Sequence, residues 1–150
     1  LVGSEMCIRD RINAQLTRSA ALNPGKLRRA EQGIGVHTAH GRHEPAAMTA
    51  EGLDALIQEQ LLLDDALRSA AHLFVEVARA QPFEDGNKRT AIFAANSYLI
   101  GQETGLLMAV PHDDADPTVS REFHDQLARA YVFGETGPVV EALVLHNSLQ

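Results

Sequence analysis

An apolar stripe that runs into a proline sets the plan of this chain. Leu67, Ala70, Ala71, Phe74, Val77 and Ala78 recur at steps of three and four, the period of one buried helix face. The pattern stops at Pro82, which cannot continue a helix. Asp64 and Asp65 precede the stripe as helix-start acids, so a long, central helix is predicted between them and the proline. A second pattern opens at Asn87 and runs to Ile100 with apolar or small residues on every side, among them Ala91, Ile92, Phe93, Ala94, Ala95, Tyr98 and Leu99. It predicts a helix buried on most sides, with Gly101 as its stop and alanines that let neighbouring helices approach closely.

The other segments read mostly as helix too. Thr49 is a candidate N-cap for a stripe through Leu53, Leu56, Ile57 and Gln60 to Leu63, with Leu61-Leu62-Leu63 expected in the core. Asp116-Pro117 opens a helix through Phe123, Leu127, Ala130 and Tyr131, and Gly137-Pro138 opens a last one through Val140, Leu143 and Val144. Leu106–Val110 fits a strand or an extended connector. Near the start, a short helix is expected from Ile12 to about Ala21, ended by Asn23-Pro24-Gly25, and Gly33–His43 fits a short hairpin or ordered flap. The predicted fold class is therefore all-α, a mostly helical bundle with one small β-hairpin.

Length and charge narrow the function. The 150 residues fit a single domain, and 45% hydrophobic with 22% charged residues is the balance of a globular protein. A formal charge of -7 argues against gripping nucleic acid by its phosphates, and no apolar run reaches membrane-spanning length. A single cysteine, Cys7, excludes a disulfide framework and makes a reducing, cytoplasmic compartment the default. Residues 1–11 have neither a signal-peptide layout nor a clear helical period and are similar to translated sequencing-adapter read-through. They are expected to be a non-native extension, with residues 12–150 forming the one domain.

The loop between the two central helices carries the chemistry. Lys88 and Arg89 fall in the first turn of the second helix, where they oppose the macrodipole unless an anion sits there. Gly86 permits close backbone approach, the N–H groups around Asn87 to Arg89 point out of the helix end, and Arg89 can grip a phosphate bidentately. Asp85 is placed to supply a hard carboxylate to a divalent metal bridging phosphate oxygens. The plainer alternative is an Asn-capped helix whose cations pair with Glu84 and Asp85. A Walker A loop is excluded, since no glycine precedes Lys88 and Arg89 follows it, and Thr38 stands where a dinucleotide fingerprint beginning at Gly33 needs its third glycine.

Pro82-Phe83-Glu84-Asp85-Gly86-Asn87-Lys88-Arg89-Thr90-Ala91 resembles the signature loop of the Fic/Doc (Fido) family, H-x-F-x-[DE]-[GA]-N-[GK]-R, at every signature position but the first. A weaker similarity extends from about Pro24 to Asn147, with the Gly33–His43 segment where the family has its target-docking flap. The resemblance implies a transferase that moves part of a nucleotide, most often AMP from ATP, to a Ser, Thr or Tyr hydroxyl of a target protein. It implies Asp85 as the magnesium ligand, Gly86, Asn87, Lys88 and Arg89 as the anion hole, and Phe83 as the loop's anchor in the core. ATP and Mg2+ are the implied cofactors.

Two departures qualify what the resemblance implies. Gln81 stands at the position of the family's catalytic histidine, and an amide cannot accept a proton near neutral pH, so phosphate binding can survive with transfer slow or absent. Ile92 stands where many adenylylating members carry an arginine for the terminal phosphates; with Lys88 in place of glycine, this resembles the Doc-like branch, which includes protein kinases. The family's inhibitory string, [ST]-x-x-x-E-[GN], does not occur: Thr118-Val119-Ser120-Arg121-Glu122 is followed by Phe123. Control then rests with an antitoxin-like partner, lies upstream, or does not exist. His37, His40 and His43 are spaced for a metal only on a helix, which the glycines around them oppose, so a solvated or target-contacting flap is the preferred reading. His72 and His124 read as packed or partly exposed histidines rather than replacement bases. The acids around Asp113 to Asp116 read as a helix start rather than a calcium loop.

Overall fold

A computed structural model describes the backbone of residues 2–16 and 18–149 and the side chains of residues 9–16 and 18–149. Six α-helices account for most of the described chain: α1 (Val2–Gln15), α2 (Ala50–Gln60), α3 (Ala66–Ala80), α4 (Asn87–Gly101), α5 (Pro117–Phe133) and α6 (Thr136–Ser148). The strands β1 (Val36–Thr38) and β2 (Gly41–His43) form an antiparallel hairpin in which Val36 pairs with His43 and His37 with Arg42. The all-α class with one small hairpin is thus the observed one.

Helix α3 is the axis of the bundle. Asp65 caps it by accepting from the Arg68 N–H at 2.9 Å, and packing against α2, α4, α5 and α6 covers its sides. Its Phe74, Val75 and Val77 are at most 1% exposed, each contributing about 1.5–3 kcal/mol by leaving water. Helix α4 lies on α3 through Ala91, Ala95 and Leu99, small side chains that allow a close crossing. Unlike the expectation of burial on most sides, its far face is open: Phe93 is 53% and Ile100 64% exposed. Its neighbours α3 and α1 cover only part of its circumference. Gly101 is the last helical residue rather than the stop, and the left-handed turn that follows is made by Glu103 and Gly105.

Two further expectations shift. Helix α2 ends at Gln60, with the Leu61 N–H bonded back to the Gln58 carbonyl, so Leu61-Leu62-Leu63 falls in a turn; Leu62 is 81% exposed instead of buried in the core. The helix expected to continue to Ala21 ends at Gln15, because the chain beyond it is drawn onto the loop that follows α3: Ala20 and Ser19 bond Asp85, and Leu22 and Asn23 bond Glu84. Helix α1 itself crosses residue 11, and its buried Arg9 meets Asp54 of α2 at 2.5 Å.

Residues 106–110 run as an extended connector, one of the two forms the sequence allowed. Side-chain amides hold it. Asn96 of α4 accepts from the Met108 N–H at 2.6 Å and donates to its carbonyl at 2.9 Å, and Asn147 of α6 does the same for Ala109 at 2.8 and 2.9 Å.

Candidate functional site

The α3–α4 loop begins on a strained residue. Gln81 ends α3 in the left-handed region, at φ 47° and ψ 52°, a conformation non-glycine residues rarely adopt. The residue is 4% exposed and its amide is bonded at both ends: Nε2 donates to the Ala78 carbonyl at 2.6 Å and Oε1 accepts from Asn87 Nδ2 at 3.1 Å. Phe83 follows, completely buried. Asn87, at the start of α4, spans the loop from inside: Oδ1 accepts from the Phe83 N–H at 2.8 Å and Nδ2 donates to the Phe83 carbonyl at 3.0 Å. The expected Asn cap is therefore an internal brace, and Gly86 occupies the N-cap position at φ 75°. The backbone angle favours glycine there; a Cβ would also lie 2.4 Å from Leu16 Cδ1, a side-chain end that can swing aside.

Two residues with no signal in the sequence fix this loop from outside. Asn13 of α1 donates to the Asp85 carbonyl at 2.9 Å and to Thr90 Oγ1 at 3.0 Å, while its Oδ1 accepts from the Gly25 N–H at 2.9 Å. Arg28, 4% exposed, donates Nε to the Gln81 carbonyl at 2.5 Å and Nη2 to the carbonyls of Pro45 and Ala46 at 2.6 and 3.1 Å. Burial lowers its pKa from the ordinary arginine value. The backbone adds an isolated bridge between Leu27 and Phe83.

The two carboxylates of the loop face different tasks. Glu84 accepts from the N–H groups of Leu22 and Asn23 and from the amides of Asn23 and Gln32, all at 2.6–3.0 Å, which holds its pKa down to about 2. Asp85 accepts from the Ala20 N–H at 2.9 Å and Ser19 Oγ at 3.2 Å, with Arg89 at 3.6 Å. Chiefly the Ala20 hydrogen bond keeps its pKa below the usual carboxylate range, and its side chain remains 38% exposed. The Arg89 contact is the charge pairing foreseen by the plainer reading of this turn. Lys88 is exposed, and Ile92 packs against the core.

These groups open onto a cavity of about 680 Å³. Gln81 and residues 84–89 form one side, the flap residues 34–39 a second, and α5 a third through Arg121, His124, Asp125, Leu127, Ala128 and Tyr131. The flap is fastened to α5: His40 Nε2 lies 2.7 Å from Asp125 Oδ1, and the His43 ring stacks on Tyr131 at 5.2 Å. His37 instead meets Arg42, so the three flap histidines point to separate partners and form no metal cluster. Tyr131 is 6% exposed and its hydroxyl has no hydrogen-bond partner among the described residues; burial raises its pKa, keeping it a donor.

The donor set fits magnesium in one manner. No group of three His, Cys, Asp or Glu that could hold an ion occurs among the described residues. Magnesium commonly takes one or two carboxylates and completes its shell with phosphate oxygens and water, and ionised, partly exposed Asp85 beside the N-terminus of α4 meets that pattern.

The site so described is a helix N-terminus with two cations, set beside an ionised aspartate under a β-hairpin in a helical domain. The chain belongs to the Fic/DOC family, whose profile it matches over residues 8–99. Its fold is similar, at a TM-score of 0.53 and 16% identity, to the crystal structure of a Fic domain containing signaling protein from Bacteroides thetaiotaomicron VPI-5482. The match covers 97% of this chain and 60% of that one, so the chain spans less than two thirds of that protein's length. No curated protein matches it significantly.

Proposed function

We propose that this chain binds ATP with magnesium in the flap-covered cavity and moves AMP, or another phosphate-containing group, to a Ser, Thr or Tyr hydroxyl of a target protein. The observation that carries the reading is the convergence on one cavity of the α4 N-terminus, Lys88, Arg89 and Asp85. The N–H groups at the start of α4 and the two cations hold the polyphosphate, and the loop geometry fixed by Asn87 and Arg28 presents them without reorganisation. Asp85 would hold the metal, which when bound neutralises phosphate charge. The reaction belongs to the cytoplasm, with an antitoxin-like partner as the expected control; no described helix is long and apolar enough to cross a membrane.

The locked amide of Gln81 supports a second reading, a nucleotide-binding domain with weakened turnover. Lys88 and Ile92 support a third, a Doc-like phosphotransferase. ATP labelled at the α or the γ phosphate, incubated with a cell lysate and with wild type, Gln81→His or Asp85→Ala, separates them. Label from the α phosphate on a protein, lost with Asp85→Ala, is the result expected; γ label alone replaces adenylylation with phosphorylation. Transfer by Gln81→His but not wild type leaves the binding domain. Absence of magnesium-dependent ATP binding in calorimetry, even for Gln81→His, refutes the whole assignment.

A further inference from the structure

We propose that His124 of α5 is the general base of this site, accepting the proton that Gln81 cannot; the inference rests on the transferase reading above. Gln81 is excluded by more than its chemistry. Both ends of its amide are bonded inside the loop and the residue is 4% exposed, so the side chain is held in place, and what acceptor capacity its oxygen keeps is that of a non-basic amide.

The cavity has two imidazoles in its wall, His37 and His124. His37 Nε2 faces the Arg42 guanidinium at 3.3 Å, which occupies its lone pair. His124 is arranged the opposite way. Its Nδ1 lies 2.6 Å from the Ser120 carbonyl, one turn back on α5, and a carbonyl oxygen can only accept. The proton therefore sits on Nδ1, and Nε2 keeps its lone pair with no protein partner among the described residues. A backbone acceptor that fixes the tautomer of a base is the arrangement hydroxyl-activating histidines use. The charged groups around the cavity are Asp85 on the loop, Lys88 and Arg89 on α4, and Arg121 and Asp125 on the same helix as His124. Asp125 is engaged by His40, and Glu84 is turned to Leu22, Asn23 and Gln32.

In the step this implies, the target hydroxyl oxygen forms a bond to the α phosphorus of ATP as the bond from that phosphorus to the α–β bridging oxygen breaks. Pyrophosphate leaves with the bridging oxygen. The hydroxyl proton passes to His124 Nε2 and from there to solvent, leaving an AMP ester on the target.

The test compares wild type, His124→Gln, Gln81→His and the double variant in transfer of α-labelled ATP to lysate proteins, over pH 5.5–8.5. His124 is exposed, and unchanged melting and ATP affinity of His124→Gln serve as the folding control. The expected result is a fall in kcat of about 10²-fold or more with KM for ATP unchanged. The rise of rate with pH should disappear in that variant, and Gln81→His should restore transfer in the double variant. A kcat within threefold of wild type, or wild type inactive while Gln81→His is active, overturns the proposal and leaves the transferase fold intact. Absence of both ATP binding and transfer in all four proteins overturns the transferase reading, and this one with it.

Discussion

Replacing Asn87 by alanine should destabilise the domain by about 3 kcal/mol, and the source of that figure is visible bond by bond. The side chain is 5% exposed and makes contacts at 2.8, 3.0 and 3.1 Å to the Phe83 N–H, the Phe83 carbonyl and Gln81 Oε1. Alanine leaves the N–H of a completely buried residue without its acceptor, a loss of about 1–3 kcal/mol. The orphaned Gln81 amide oxygen adds about 1 kcal/mol, and the Phe83 carbonyl adds less, since carbonyls tolerate partial satisfaction better than N–H groups. For a domain of this size 1 kcal/mol corresponds to about 2–4 °C, so Tm should fall by about 6–12 °C in a calorimetric or circular-dichroism melt. Asn87→Asp keeps an acceptor for Phe83 but turns a second oxygen towards two acceptors, and should rescue none of the loss at pH 7. A Tm within 2 °C of wild type for Asn87→Ala would refute the argument that this side chain builds the loop from within.

Three further outcomes follow from the same geometry. Glu84 has its pKa depressed from 4.5 to about 2 by hydrogen bonds, so its stabilising contribution is complete above pH 4.5 and is lost as pH falls towards 2; Glu84→Gln should flatten the melting temperature over that window relative to wild type. Gly86→Ala should cost about 1–2 kcal/mol in denaturant unfolding, from the positive φ, and Leu16→Ala in the same chain should recover little of it, because Leu16 Cδ1 is the mobile end of a side chain. Arg28→Met should strand three carbonyls and cost about 2–4 kcal/mol, with faster hydrogen exchange in both the segment that follows the flap and the α3–α4 loop; protection unchanged in either one would show that Arg28 does not tie them.

The local parts of this fold were legible because their signals are local. The stripe from Leu67 to Ala78 predicted α3, Thr49 and Asp116 cap the helices they were expected to cap, Asp65 of the expected helix-start pair caps α3, and α3 stops just short of Pro82. What the sequence could not convey is where distant groups meet. Asn13 reaches Thr90 across 77 positions and Arg28 reaches Gln81 across 53, and neither residue type carries a pattern that announces such a partner. Leu61 packs against the core as expected, but Leu62, Leu63 and Phe93 misled because apolar character was read as burial, although the surface of folded proteins is itself largely apolar. The α5 wall was missed for another reason: Arg121, His124 and Asp125 look like the solvated face of an amphipathic helix until the flap is folded opposite them.

The clasp on residues 108 and 109 has a consequence for how this protein behaves in a crowded solution. An extended segment bearing Leu106, Leu107 and Val110 at the surface is the kind of edge that templates pairing with another chain. Here the amides of Asn96 and Asn147 already occupy the N–H and carbonyl of both central residues, standing in for a neighbouring strand. A segment whose backbone partners are supplied by its own helices has nothing at its centre with which to recruit a second copy. Its protection against sheet-type aggregation thus resides in two asparagines that line no part of the flap-covered cavity.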